Sequence, residues 1–85
     1  ALHCPHYDSE KHRQKDLKRM MKNSPLIAIA LEDNCALQLL DTTYRIVSGK
    51  KSAKAYKIYW KGKKYYKEEI QQIKKYQSIK ELITK

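Results

Sequence analysis

Apolar residues recur first at helical spacing near the start of the chain. One thin apolar stripe predicts a helix over residues 10–23, with Asp8 or Ser9 as its N-cap. The stripe consists of Leu17, Met20 and Met21. A stripe this narrow needs a neighbouring surface to stabilise the helix. Residues 1–7 contain Pro5 and are expected to form a short arm, either flexible or tethered by a disulfide.

The centre of the chain changes to the spacing of strands. Strands are predicted at residues 26–31, 35–40, 43–48, 53–60 and 63–67. A helix starting near Ser24 and Pro25 remains an alternative for the first of these segments. Lys61 and Gly62 separate the last two segments, which favours a hairpin.

Helical spacing returns at the end of the chain and predicts a helix over residues 68–83. Its apolar positions are Ile70, Ile73, Tyr76, Ile79, Leu82 and Ile83. The predicted fold class is therefore α+β, with a small curled antiparallel sheet of four to five strands flanked by an N-terminal and a C-terminal helix. Residues 1–85 are expected to form a single small domain.

Composition narrows the class of protein. The chain has 85 residues, 41% of them hydrophobic, and a formal net charge of +10. This composition is typical of a folding domain, too small for a two-domain enzyme. The longest uncharged apolar run, residues 26–31, is far shorter than a membrane span requires, so no transmembrane helix and no signal-peptide core are expected.

The positive charge is concentrated in the second half of the chain. Residues 1–40 hold 6 basic and 5 acidic side chains, whereas residues 41–85 hold 13 basic and 4 acidic ones. Residues 45–67 contain no Asp or Glu and include five of the eight aromatic side chains. A folded surface this basic favours an anionic partner.

Alternation along the strand at residues 53–60 suggests which side chains face that partner. Tyr56, Ile58 and Trp60 are assigned to the core, and Ala55, Lys57 and Tyr59 to a cationic surface. The candidate nucleic-acid or anion-binding residues are Arg45, Lys54, Lys57, Tyr59, Lys61, Lys63, Lys64 and Tyr66. Lysines would contact phosphates, and tyrosines would stack on bases.

Nucleic acid is the preferred partner, and an acidic protein surface, a lipid headgroup or a cell-wall polymer comes second. The chain has 16 Lys and 3 Arg, which favours attraction to a backbone over reading of base edges. The competing interpretation is a Lys/Tyr strand that is merely soluble and protected at its edge. Oligomeric state is left open.

Two cysteines leave the compartment undecided. A Cys4–Cys35 disulfide would stabilise the fold by about 3–4 kcal/mol and indicate secretion. Two reduced thiols would indicate a cytoplasmic protein. The secreted alternative is a disulfide-pinned basic toxin, inhibitor or immunity factor that acts on a protein or a cell surface.

All three histidines lie near the N-terminus, but their spacing is not that of a metal site. Cys4 and His6 are too close for a structural zinc knuckle, so no metal and no cofactor is assigned. Acid–base chemistry on phosphodiesters by His12 with His3 or His6 and a lysine is the only enzymatic hypothesis. Without a recognisable catalytic constellation, a binding protein is favoured over an enzyme.

Overall fold

The computed structural model describes residues 2–8, 12–50, 52–72 and 75–85. Within these residues the chain forms seven strands and two helices. The strands are β1 (Leu2–Cys4), β2 (Ala28–Leu31), β3 (Cys35–Leu40), β4 (Thr43–Ser48), β5 (Ala55–Lys61), β6 (Lys64–Ile70) and β7 (Gln77–Ser78). The helices are α1 (Arg13–Met21) and α2 (Lys80–Ile83).

The strands form two sheets rather than one. Sheet A has the order β1-β2-β5-β6, and sheet B has the order β3-β4-β7. Strand β1 runs parallel to β2, and every other pair is antiparallel. The predicted α+β class, with one curled sheet flanked by two helices, is therefore wrong. The chain is mostly sheet, with one substantial helix and one short C-terminal helix.

Two apolar clusters divide the molecule into three layers. Alternate residues of β2 face opposite sides, so that Ala28 and Ala30 contact α1 while Ile29 and Leu31 face sheet B. The order of layers is α1, sheet A and sheet B. Both faces of sheet A are thus covered.

The N-terminal arm is a strand in the structure. Leu2, His3 and Cys4 pair with Ala28, Ile29 and Ala30 of β2. Tyr7 is buried against the cluster beneath α1, and its backbone N–H donates to the carbonyl of Leu31, 2.9 Å away. Residues 2–4 form a strand because they pair with β2, which is distant in the sequence. The local sequence pattern does not indicate this pairing.

Helix α1 lies within the predicted range but begins at Arg13, with His12 as its N-cap residue. Asp8, expected as a cap, instead accepts a hydrogen bond from the backbone N–H of Asp33 at 2.7 Å. Ser9, the other expected cap, lies outside the described residues. Leu17 and Met21 are buried as predicted, whereas Met20 is exposed.

The predictions for the central strands and their turns are confirmed. Strands β3 and β4 have the predicted bounds, and β2 occupies the last four residues of its predicted segment, which excludes the helical alternative there. The turns use residues that tolerate positive φ: Asn34 at 70°, Asp41 at 54° and Gly62 at 64°. Gly62 connects β5 to β6, as expected for the hairpin.

The prediction of a C-terminal helix over residues 68–83 is wrong in most of its length. Residues 68–70 belong to β6, Gln77 and Ser78 form β7, and only Lys80–Ile83 are helical. Ile73 lies outside the described residues. Ile70 and Leu82 are both buried against the cluster between the sheets, so the apolar spacing reflects separate elements that reach one core.

Candidate functional site

Two of the three side chains assigned to the cationic surface of β5, those of Ala55 and Tyr59, are buried inside the molecule. Tyr59 is only 5% exposed and stacks on Tyr66, with ring centroids 5.0 Å apart and planes 13° apart. Its hydroxyl donates to Glu68 at 3.3 Å. Because sheet B covers this face, Tyr59 has no open ring face for a base.

Lys57 is also engaged within the protein. Its ammonium group donates to the backbone carbonyls of Glu81, at 2.7 Å, and of Thr84. These carbonyls lie at the end of α2, where a cation complements the helix dipole. The position of Lys57 therefore indicates a role in holding α2 against sheet A.

Two further predicted residues also have partners. Arg45 donates to the side-chain oxygen of Gln38 at 2.7 Å and lies 4.7 Å from the ring centroid of Tyr76. Lys54 forms a salt bridge with Glu69, with nitrogen and oxygen 3.5 Å apart. Arg45 lies in sheet B and Lys54 just before β5, so the predicted set does not form one surface.

The end of the β5–β6 hairpin carries the exposed remainder of the predicted set. Lys61, Lys63 and Lys64 are all exposed, and Lys61 lies directly opposite Lys64 across the two strands. Like charges at opposite positions of a ladder destabilise it. Tyr66 is half-buried, and the Lys64 ammonium lies 5.2 Å from its ring centroid.

A second group of basic and aromatic side chains lies on the outer surface of sheet A. The rings of Trp60 and Tyr65 face each other across β5 and β6, with centroids 5.2 Å apart. Lys18 of α1 lies 4.8 Å from the Tyr65 ring, and Lys22 lies 5.9 Å from the Trp60 ring. The indole N–H donates to the carbonyl of Lys18 at 3.0 Å, which fixes the ring against α1.

Lys67 continues this surface along β6. Its ammonium lies 4.5 Å from the ring centroid of Tyr56 and 5.0 Å from that of Tyr7. We call the combined surface the outer basic face. On the α1 side of sheet A it consists of Lys18, Lys22, Trp60, Tyr65 and Lys67. Lys61, Lys63 and Lys64 continue it at the end of the hairpin, where Lys61 and Lys64 lie on the same strand face as Tyr59 and Tyr66. Among the described residues, none of its six lysines forms a salt bridge with a carboxylate.

Two neighbouring tyrosines, the half-buried Tyr65 and the buried Tyr7, lie on the α1 side of sheet A. Burial raises the pKa of Tyr65 to about 12, and the neighbouring Tyr7 contributes to the shift through charge and a hydrogen bond. Burial is also the main cause that raises the pKa of Tyr7. A tyrosine hydroxyl is neutral at physiological pH even at its ordinary pKa, and these upward pKa shifts extend the neutral form to more alkaline pH.

The two cysteines lie on opposite sides of sheet A. Cys4 belongs to the cluster beneath α1, whereas Cys35 packs against the cluster between the sheets. No disulfide joins them in the structure. A Cys4–Cys35 bond would require at least one of these side chains to leave the cluster in which it packs.

The histidines do not gather into one site. His3 lies in β1, His6 contacts Asp33 with Nδ1 and Oδ1 2.5 Å apart, and His12 precedes α1. In the described part of the chain, no three His, Cys, Asp or Glu side chains are grouped closely enough to hold a metal ion. Across these same residues, no helix has the length and apolarity to cross a membrane.

The contribution of α1 to the basic surface was missed in the sequence. Lys18 and Lys22 are four residues apart and so share one side of a helix, which is a readable signal. What the sequence does not show is that α1 crosses sheet A beside Trp60 and Tyr65. Lys67 was recognised as part of the acid-free stretch but was not assigned to the site.

Comparison of the chain with protein-family models, with curated proteins and with solved structures gives no significant match.

Proposed function

We propose that the protein binds nucleic acid through the outer basic face. The observation that carries the proposal is the grouping of Lys18, Lys22 and Lys67 beside aromatic rings on the α1 side of sheet A, continued by three more lysines at the end of the β5–β6 hairpin. No salt bridge to a carboxylate among residues 2–8, 12–50, 52–72 and 75–85 offsets the repulsion between these cations, so grouping them costs electrostatic free energy. A polyanion that lies along the face relieves this repulsion and releases its own counterions.

The aromatic rings favour nucleic acid over other polyanions. Trp60 is half-buried, and its ring is fixed by the hydrogen bond to Lys18. A fixed indole beside ammonium groups matches a nucleotide, which presents a flat base next to a phosphate. The predominance of lysine supports contact with the backbone rather than recognition of a base sequence. Unpaired bases are accessible to a ring, so a single strand is the expected form.

The only tryptophan of the chain provides the direct assay. Titration with a thymidine homopolymer should quench the fluorescence of Trp60, and an oligonucleotide without bases should quench it less. If all six lysines engage phosphates, the logarithm of the affinity should fall with the logarithm of the salt concentration with a slope of up to about −4.

A pair of charge-matched variants locates the site. Lys18→Gln with Lys22→Gln should reduce the magnitude of the slope by about 1.4, because two phosphate contacts are lost. Lys75→Gln with Lys80→Gln removes the same charge from exposed positions outside the face and should leave the slope nearly unchanged. No binding at low salt would overturn the proposal. Equal binding of heparin and oligonucleotide would replace nucleic acid with polyanions in general.

A further inference from the structure

The sheets have four edges, and three of them are protected against pairing with another chain. Strands β1 and β7 are only 3 and 2 residues long. Strand β6 is long but carries Lys64, Lys67, Glu68 and Glu69. Short length and charged side chains are the usual devices that keep an edge strand single.

Strand β3 is the exception. It forms the edge of sheet B, spans 6 residues and contains no charged residue, proline or glycine. Strand β2 is also uncharged, but it lies inside sheet A between β1 and β5 and is not an edge. Leu39 is 60% exposed and Leu40 is similarly open, so the edge presents apolar side chains together with its backbone groups.

An apolar groove continues from this edge between the two sheets. It has a volume of about 440 Å³ and is lined by His3, Ile29, Leu37, Leu39, Leu82 and Ile83, together with Ile79. Leu37 packs against the cluster between the sheets, so the groove is an open extension of that core. A strand added beside β3 would cover it.

We infer that β3 is a dimerisation edge and that its partner is the β3 strand of a second copy of this chain. Two identical strands that pair in antiparallel fashion can be related by a twofold axis, and twofold symmetry is the commonest symmetry of homodimers. Registers that place Leu37 or Leu39 of one copy opposite Leu37 or Leu39 of the other keep these side chains over the groove.

Charge supports a second copy as the occupant. Lys18, Lys22 and Lys67 of the outer basic face lie on the α1 side of sheet A, and β3 lies in sheet B, so paired β3 edges hold these lysines of the two copies away from the contact. A partner strand must itself be uncharged to fit beside Leu37 and Leu39, and β3 meets this requirement. The contact is limited to one strand and a groove, so we expect a weak dimer with a dissociation constant of about 1–100 μM.

Sedimentation of the whole chain tests the inference at protein concentrations from about 1 μM to about 1 mM. The wild-type chain should change from monomer to dimer across this range, without added oligonucleotide. Salt should strengthen the dimer, because it screens the repulsion between two chains of charge +10. Binding of nucleic acid has the opposite dependence on salt, so failure of one proposal is distinguishable from failure of the other.

Substitutions of matched exposure identify the contact. Leu39→Lys should raise the dissociation constant of the dimer at least about tenfold, because each copy would bury an unpaired charge. Met20→Lys adds the same charge at a position that is 58% exposed on α1, and it should change the constant little. Leu39→Thr, which adds no charge, should weaken the dimer less than Leu39→Lys.

Three results would overturn the inference. The first is a wild-type chain that stays monomeric at every concentration. The second is a dissociation constant that is unchanged in Leu39→Lys. The third is a dissociation constant that rises equally in Leu39→Lys and Met20→Lys. Circular dichroism should show the same unfolding midpoint for both lysine variants below the dimerisation range, because both side chains are exposed in the monomer.

Discussion

The two long edge strands, β6 and β3, expose opposite kinds of surface. Strand β6 carries lysines and tyrosines, and α1 adds two lysines beside it. Strand β3 has the sequence CALQLL and carries no charge. The lysines are therefore grouped by the structural layer in which they lie, and not by the half of the sequence to which they belong. One outer layer carries a group of lysines, and the opposite layer retains an uncharged edge.

Packing accounts for this separation. Sheet A is covered on both faces, so its Lys and Tyr side chains reach solvent only around α1 and at the end of the hairpin. Sheet B is covered by sheet A on one face only. Four changes to the molecule test the comparison, starting with the largest expected effect.

The first change distinguishes a packed layer from an open edge. Ile58 is fully buried beneath α1, and Ile58→Ala should lower the free energy of unfolding by about 2–5 kcal/mol. Leu39→Ala should lower it by less than about 0.5 kcal/mol in the monomer, because Leu39 is already exposed. Urea denaturation measures both values. Equal decreases in the free energy of unfolding of the two variants would contradict the assignment of layers.

The second change removes charge from the end of the hairpin. The triple variant Lys61→Gln, Lys63→Gln and Lys64→Gln should weaken binding of a single-stranded oligonucleotide about tenfold at about 0.1 M salt and reduce the salt slope by about 2. The control carries Lys50→Gln, Lys75→Gln and Lys80→Gln, which are exposed positions outside the outer basic face. If both triples lose affinity equally, net charge rather than this face governs binding.

The third change concerns Lys57, which the sequence assigns to the binding surface. Lys57→Met keeps the aliphatic length but loses the bonds to the carbonyls of Glu81 and Thr84. It should lower the free energy of unfolding by about 1 kcal/mol and change the oligonucleotide affinity by less than about twofold. A large loss of affinity in a fully folded variant would return Lys57 to the site.

The fourth change is alkaline pH. The pKa of Tyr65 is raised from 10.0 to about 12, so the folded chain holds its proton at pH values where the unfolded chain has released it. The contribution of this group to stability is complete below pH 10 and is lost as the pH rises toward 12. In Tyr65→Phe, the free energy of unfolding should decrease less steeply with pH between pH 10 and 12, as measured by urea denaturation at several pH values. An identical slope in the variant would contradict the burial of the phenol.

Local patterns predicted part of the fold because some elements depend only on neighbouring residues. The strand-like spacing in residues 35–40 and 43–48 and the turn at Lys61 and Gly62 were sufficient to place β3, β4 and the hairpin. The C-terminal helix failed because Ile70 and Leu82 reach one core from different elements at a spacing that resembles a helix.

The pairing of distant strands and the packing of the two sheets could not be predicted from the local sequence pattern. Nothing near residues 2–4 indicates that they pair with β2, and alternation in β5 cannot identify a core face when both faces are covered. This is why Tyr59 was expected at the surface and Trp60 in the core, whereas Tyr59 is buried and Trp60 is half-exposed. Lys61, Lys63 and Lys64 were correctly expected to be exposed, because a hairpin end is exposed in either arrangement.

The most direct test of the central claim is a nuclear magnetic resonance titration of the isotope-labelled chain with a single-stranded oligonucleotide at low salt. The outer basic face should respond, with the indole N–H signal of Trp60 and the backbone signals of Lys18, Lys22 and Lys67 shifting in proportion to the bound fraction. The backbone signals of Cys35–Leu40 should change little at a protein concentration below the dimerisation range. Shifts centred on β3, or no shifts at all, would contradict the account.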